Sequence, residues 1–236
     1  MKIFCKIKYL ALCRFSLALP CCAVQMDSII GVKYDGGVLI AADSNNARSI
    51  LVYQHNLDKI AQIAPNAIIG LSGPNADLVS YSEYIEKNLT LYHLMNPEHS
   101  LSTKSVASFC RNEMAKALRK GPFQVNTLLG GWDKTDSTDE KGEGSLYYLD
   151  YTGALQKLDY GIQGYASNFA LSVLDREWKE GLTKAQALEI VDHCIGVLDT
   201  RFLISQPTFC VKSVSKDGVE VVREVVPKYG VERQAN

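Results

Sequence analysis

The sequence contains no run of 18 apolar residues, so no segment qualifies as a membrane-spanning helix. It has no GxxxxGK[ST] loop, and Gly142-Glu143-Gly144 lacks the third glycine of a dinucleotide fingerprint. It has no CxxC pair and no HExxH, and its four histidines (His55, His93, His99, His193) are scattered. No metal site or cofactor is therefore expected, and each histidine reads as a surface or capping residue. Excess basic charge is missing too. Residues 1–25 carry Lys2, Lys6, Lys8 and Arg14 and no acid, which leaves the other 211 residues with 21 basic and 26 acidic side chains, net −5. A mildly acidic body argues against a nucleic-acid surface built on bulk charge.

What is present is an ordinary globular composition, 47% hydrophobic and 22% charged. A body of this length buries roughly 70% of the surface its unfolded chain exposes, enough to fold without staples. Four of the seven cysteines (Cys5, Cys13, Cys21, Cys22) lie in the first 22 residues. The body keeps Cys110, Cys194 and Cys210, an odd number in apolar periodic segments, where a free thiol behaves as a small hydrophobe. That usage fits a reducing compartment. Residues 1–25 have a basic start and an apolar stretch from Phe15 to Val24, interrupted upstream by Arg14. They read as an upstream extension, a propeptide or a targeting-like segment. The sequon Asn88-Leu89-Thr90 falls inside an amphipathic helix, which weakens a secreted reading. The expected organisation is an extension (1–25), one body (26–226) and a polar tail (227–236).

Along the body, Ile29–Tyr34 and Val38–Ala42 are strand-like runs joined by the hairpin signal Asp35-Gly36-Gly37. Strand-like pieces follow at Ile50–Tyr53, Ile60–Ile63 and Ala67–Leu71. The period then changes. Leu78, Tyr81, Ile85, Leu89 and Tyr92 mark one helix face, closed by Pro97. A second helix over 103–119 has Val106, Cys110, Met114 and Ala117 on one stripe. Strands return at 124–132, 145–150 and 154–158, with Asp133–Gly144 as a solvated hairpin loop. A helix over 166–177 is expected to turn Ala170, Leu171, Leu174 and Trp178 inward. Another opens at Thr183, with Gln186 at capping-box spacing. Phe209–Val214 and Val219–Val225 form a last hairpin. Strands and helices in blocks with hairpin connections indicate an α+β fold of antiparallel sheets, layered helix–sheet–sheet–helix.

Gly70-Leu71-Ser72-Gly73 nearly makes the GxSxG elbow of serine hydrolases, but Pro74 takes the last place and no placed His and acid accompany it. The informative segment is GGVLIAADS (36–44), with Lys59 sixteen residues after Asp43. It resembles the N-terminal strands of proteasome beta subunits, members of the N-terminal-nucleophile hydrolase family. Segments 80–96, 122–133, 146–155 and 162–178 extend the likeness over nearly the whole body, and look most like the non-catalytic subunit at the fourth beta position of the eukaryotic ring. The resemblance implies a four-layer αββα sandwich. It also implies a role in the 20S core particle, in the cytoplasm and nucleus, with other beta subunits of the same and opposite ring and alpha subunits as partners. By the same resemblance the first helix pair (77–119) faces the alpha ring and the second (166–200) the opposite beta ring. Tyr81, Tyr84 and Tyr92, beside Glu83, Glu86 and Lys87, would suit such an interface.

In active members of that family a threonine, freed at the N-terminus by cleavage after a glycine, is the nucleophile, and its own amine is the base. A lysine favours deprotonation of the hydroxyl, and an aspartate holds the lysine. The strand-two aspartate matches Asp43 and the lysine matches Lys59. Counting back from Gly36-Gly37, the nucleophile's place falls on Asp27, a far poorer nucleophile for an amide. None of the nine threonines follows a glycine. The distal aspartate's place falls near Phe202, a serine's place falls on Tyr165 with Ser167 nearby, and Ser205 matches a distal serine. The resemblance thus implies no catalytic residues, a vestigial Asp43–Lys59 pair, and a structural subunit of a threonine-protease complex. The alternative is a free-standing N-terminal-nucleophile amidase or secreted hydrolase, using Ser28 or Cys22 after unusual processing.

Overall fold

The turn signal at Asp35-Gly36 acts as its composition suggests. Strands β1 (Ser28–Tyr34) and β2 (Gly37–Asp43) form an antiparallel hairpin, and Gly36 takes a φ of 92° there, which favours glycine. The structure is a computed structural model describing residues 27–48, 51–134 and 142–225. Side chains along the hairpin alternate between two faces. Ile30, Val32, Leu39 and Ala41 point one way, while Ile29, Val38, Ile40 and Ala42 point the other. Both sets are buried, which explains the nearly continuous apolar run: this hairpin is covered on both sides.

After β2 come β3 (Asn46–Arg48) and β4 (Leu51–Gln54), a separate two-stranded ribbon. Next are β5 (Ile60–Ala64), β6 (Ala67–Ser72), the helices α1 (Asn75–Met95) and α2 (Thr103–Ala117), then β7 (Asn126–Lys134), β8 (Gly142–Leu149) and β9 (Leu155–Leu158). The chain continues through β10 (Tyr160–Gly164), α3 (Ser167–Glu177), α4 (Lys184–Arg201), β11 (Phe209–Ser215) and β12 (Gly218–Val225). Two five-stranded antiparallel sheets result, ordered β10-β1-β2-β11-β12 and β5-β6-β7-β8-β9.

Three cores bind these layers. Helices α3 and α4 pack on the first sheet through Leu174, Val191, Ile195 and Leu198 against Ile30, Leu39 and Val211. Helices α1 and α2 pack on the second through Tyr81, Ile85, Val106 and Met114 against Ile69, Leu71 and Leu129. Between the sheets lie Ile29, Ile40, Ile68, Leu128, Leu146 and Val214. The architecture is the expected four-layer αββα sandwich. Gly70 lets the sheets close up: a Cβ there would lie 2.9 Å from Ile29 Cγ2. The capping box at Thr183 and Gln186 forms as the sequence indicates. Burial pushes the Cys110 and Cys194 thiols up to about 12, so they act as inert core side chains.

Several expectations need correction. Strand β10 was not anticipated: Tyr160-Gly161-Ile162-Gln163-Gly164 has two glycines and no clear alternation, and register with β1 makes it a strand. Leu171 is 40% exposed, because the stripe of α3 that faces the sheet runs through Ala170, Val173 and Leu174. Tyr92, expected on the buried face of α1, is 39% exposed at the end of that helix, whereas Tyr81 is fully buried and not a surface tyrosine. Strands β7 and β8 reach Lys134 and Gly142, so they extend into the stretch read as a loop. The expected extension (1–25) and polar tail (227–236) lie outside the described residues.

Candidate functional site

The two sheets deliver three charged side chains to one end of the sandwich. Asp43 ends β2, where Phe209 of β11 is its neighbour across the ladder. Its Oδ1 accepts a hydrogen bond from the Ser28 backbone N–H at 2.8 Å, which ties the start of β1 to the end of β2. Its Oδ2 accepts from Lys59 Nζ at 2.9 Å. Lys59 comes just before β5 in the other sheet, and its carbonyl accepts from the Leu71 N–H of β6 at 3.0 Å. The lysine backbone is thus fixed to the second sheet while its ammonium reaches the first.

Asp27, just before β1, completes the cluster. Its Oδ1 accepts from Lys59 Nζ at 2.6 Å, and its Oδ2 accepts from the Gly73 N–H at 3.1 Å. Gly73 lies in the short link between β6 and α1. The structure therefore brings Asp27, Asp43 and Lys59 together, although 32 residues separate the first from the last. Gly164 at the end of β10 makes this approach possible. It has φ 81°, and a Cβ on it would lie 1.8 Å from the Asp27 carbonyl oxygen.

Lys59 and Asp43 are nearly sealed, at 1% and 3% side-chain exposure, while Asp27 retains 17%. Burial pushes the Asp43 carboxyl up to about 6; the Lys59 charge opposes that shift and the negative Asp27 adds to it. For Lys59, burial works against the charge, but the carboxylates of Asp43 and Asp27 and their hydrogen bonds together hold it above its ordinary value. One ammonium thus serves two carboxylates, and no hydroxyl stands at the place counted for a nucleophile. The Ser28 hydroxyl is fully buried without a hydrogen-bond partner among the described residues, and the Ser28 N–H is engaged by Asp43. Cys22 lies outside the described residues. Ser72 is a buried strand residue opposite Asn126.

The positions matched to the distal site are built differently. Phe202 caps the end of α4, and its ring lies 6.4 Å from Tyr165 and 5.8 Å from Phe169, centroid to centroid. The two places that the resemblance matched to polar groups thus hold aromatic rings in mutual contact. The Ser167 hydroxyl donates to the Gly164 carbonyl at 2.8 Å, and Ser205 is joined to the ribbon side by its carbonyl, which accepts from Asn45 Nδ2 at 3.2 Å.

Sequence reasoning missed Gly73 and Gly164, which meet Asp27 through main-chain atoms. Their glycine identity was the available signal: one follows a buried strand and the other precedes a helix. Among the described residues no group of three His, Cys, Asp or Glu side chains is arranged to hold a metal ion.

A profile of the family described as "Proteasome subunit" matches residues 25–214. The chain is 39% identical to the proteasome subunit beta type-2-A of Arabidopsis thaliana over 193 residues, covering 82% of this chain and 91% of that one. The chain belongs to the proteasome beta-subunit family. It is also 40% identical to the beta type-2 subunit of Dictyostelium discoideum over 84% of this chain and 97% of that one. With the beta type-4 subunit of Saccharomyces cerevisiae it shares 34% identity over the same fractions. In this beta subunit, the fold carried by the resemblance and the cluster assembled by β1, β2, β5 and the β6–α1 link belong to the same matched region.

Proposed function

We propose that this beta subunit is a non-catalytic, structural member of the 20S proteasome core. It would hold one position in the beta ring, help wall the proteolytic chamber and contact alpha subunits and the opposite beta ring, in cytoplasm and nucleus. One observation carries the non-catalytic part: the place counted for the nucleophile holds the Asp27 carboxylate, tied to Lys59 Nζ at 2.6 Å. A carboxylate attacking an amide forms an anhydride, uphill and slow, and Asp27 preceded by Met26 has no free amine to act as base. On this reading Asp43 and Lys59 are vestigial as catalysts and survive as an ion cluster that fixes the strand ends. The aromatic contact of Phe202 with Tyr165 supports the same reading, since it leaves no acid at the distal position.

The relatives carry type-2 and type-4 designations, and the fourth ring position is part of the proposal. So is the boundary of the working chain near Met26. The deciding experiment treats purified core particles with an electrophile that acylates N-terminal hydroxyl and thiol nucleophiles, then measures the intact mass of each subunit. This subunit is expected to stay unmodified while active neighbours are labelled. A chain starting at Ser28 or Cys22 that takes up the label would instead establish the hydrolase alternative. A body found only as a free monomer in extract would remove the assembly role.

A further inference from the structure

We propose that Asp27 is a built-in ligand: its carboxylate fills an anion site formed by Lys59 Nζ and the Gly73 N–H, and that site takes up a free small carboxylate when the Asp27 side chain is removed. This inference rests on the non-catalytic reading above and adds the reason for it at the level of donors.

Both donors are fixed independently of Asp27. Lys59 is held by Asp43 through Nζ and by the Leu71 N–H through its carbonyl. Gly73 is packed tightly, since a Cβ on it would lie 2.8 Å from the Gln124 carbonyl oxygen. One donor takes Oδ1 at 2.6 Å and the other Oδ2 at 3.1 Å, so together they span a single carboxylate. The 21-residue helix α1 opens two residues beyond Gly73 with no side-chain cap, so its positive end favours an anion at the site, offset in part by Asp77 in its first turn. The ammonium is 1% exposed and would be left buried beside one remaining carboxylate if Asp27 were absent. Asp27 itself is 17% exposed, which leaves an entry for a small anion from solvent. In the native chain the plug has a chemical consequence. A substrate carbonyl that needed the Gly73 N–H to stabilise developing negative charge would meet an existing carboxylate there, which repels that charge.

The test uses assembled core particles carrying Asp27→Gly or Asp27→Ala. Acetate supplies the atoms that the glycine variant lacks, and formate supplies those that the alanine variant lacks. The readout is the temperature-dependent loss of the assembled particle, measured at constant ionic strength. Acetate should protect the glycine variant and formate the alanine variant. At about ten times its dissociation constant, a ligand that binds only the folded state shifts the folded-to-unfolded ratio about tenfold. Wild-type particles and Asp27→Asn, in which the space is filled, should not respond. Adding Lys59→Met to Asp27→Ala should abolish the formate effect.

If the variants do not assemble, the yield of particle formed in the presence of the carboxylate becomes the readout, and a restored yield supports the plug. No protection, no restored yield, or equal protection by chloride overturns it. The non-catalytic reading fails separately, on covalent labelling of the wild-type subunit, whatever the carboxylates do.

Discussion

On the sheet side of the site the side chains are charged; on the helix side they are aromatic. Asp27, Asp43 and Lys59 sit at the ends of strands, where each carboxylate also accepts a backbone N–H. Phe202 and Tyr165 sit at the end of α4 and in the turn before α3, and they meet ring to ring. On the non-catalytic reading proposed above, the chemical reason for charge is removed on both sides equally. The difference therefore reflects what the fold still needs. Removing Lys59 would strand two carboxylates at the junction of two sheets, one of them deeply buried. An aromatic ring on a helix end strands no charge and adds apolar contact to the α3–α4 layer.

Breaking the charged side should produce the largest effect. Lys59→Met leaves Asp43 buried without its cation, which costs about 3–5 kcal/mol. Denaturant unfolding of the full chain measures it. A loss below about 1 kcal/mol would show that the cluster is dispensable and that the contrast between the two sides is accidental.

The second effect is a dependence on pH. The Asp43 carboxyl is raised from 3.8 to about 6 in the folded chain, chiefly by burial. Between those values the folded state binds more protons than the unfolded one, so stability falls as pH rises. The contribution of Asp43 is full below 3.8 and gone above about 6, a change on the order of 3 kcal/mol. Asp43→Asn should flatten this part of the stability profile between pH 4 and 6. A profile that keeps its slope in the variant assigns the titration to another group.

How much of this was readable beforehand differs between the same two sides. The layer order, both helix pairs and the Asp43–Lys59 match could be read from GGVLIAADS, the spacing to Lys59 and the changes in hydrophobic period. Asp27 followed by counting along β1. The contacts that lock Asp27 could not be read, because the Gly73 N–H and the Gly164 Cα carry no side-chain signal. Strand β10 escaped notice because its partner, β1, lies about 130 residues away and its own composition is glycine-rich. On the helix side, Phe202 and Tyr165 could each be seen as aromatic residues at places the resemblance matched to polar groups. Their contact could not, since it depends on how the end of α4 returns over the turn into α3. Leu171 was misplaced for a related reason: a three-residue apolar cluster in a helix fits two adjacent stripes, and the sheet selects one.

The aromatic side should yield less when broken, and independently. Phe202 is only half-buried, so Phe202→Ala removes two ring contacts worth about 0.5–1.5 kcal/mol each and a small part of a core contribution, for a loss of about 1–3 kcal/mol. Phe202→Leu should lose less than that, because it keeps apolar volume against Phe169. The smallest expected number is the sharpest. Among the described residues none is hydrogen-bonded to both Phe202 and Asp43, so combining Phe202→Ala with Asp43→Asn should give a coupling within about 0.5 kcal/mol of zero. Denaturant midpoints of the two single variants and the double variant, taken at one pH above 6, measure it. A coupling well beyond that value would mean that the aromatic contact sets the position of the ion cluster. The two sides would then be one unit, and the charges would persist for packing reasons that run through α4 instead of for the strand ends they join.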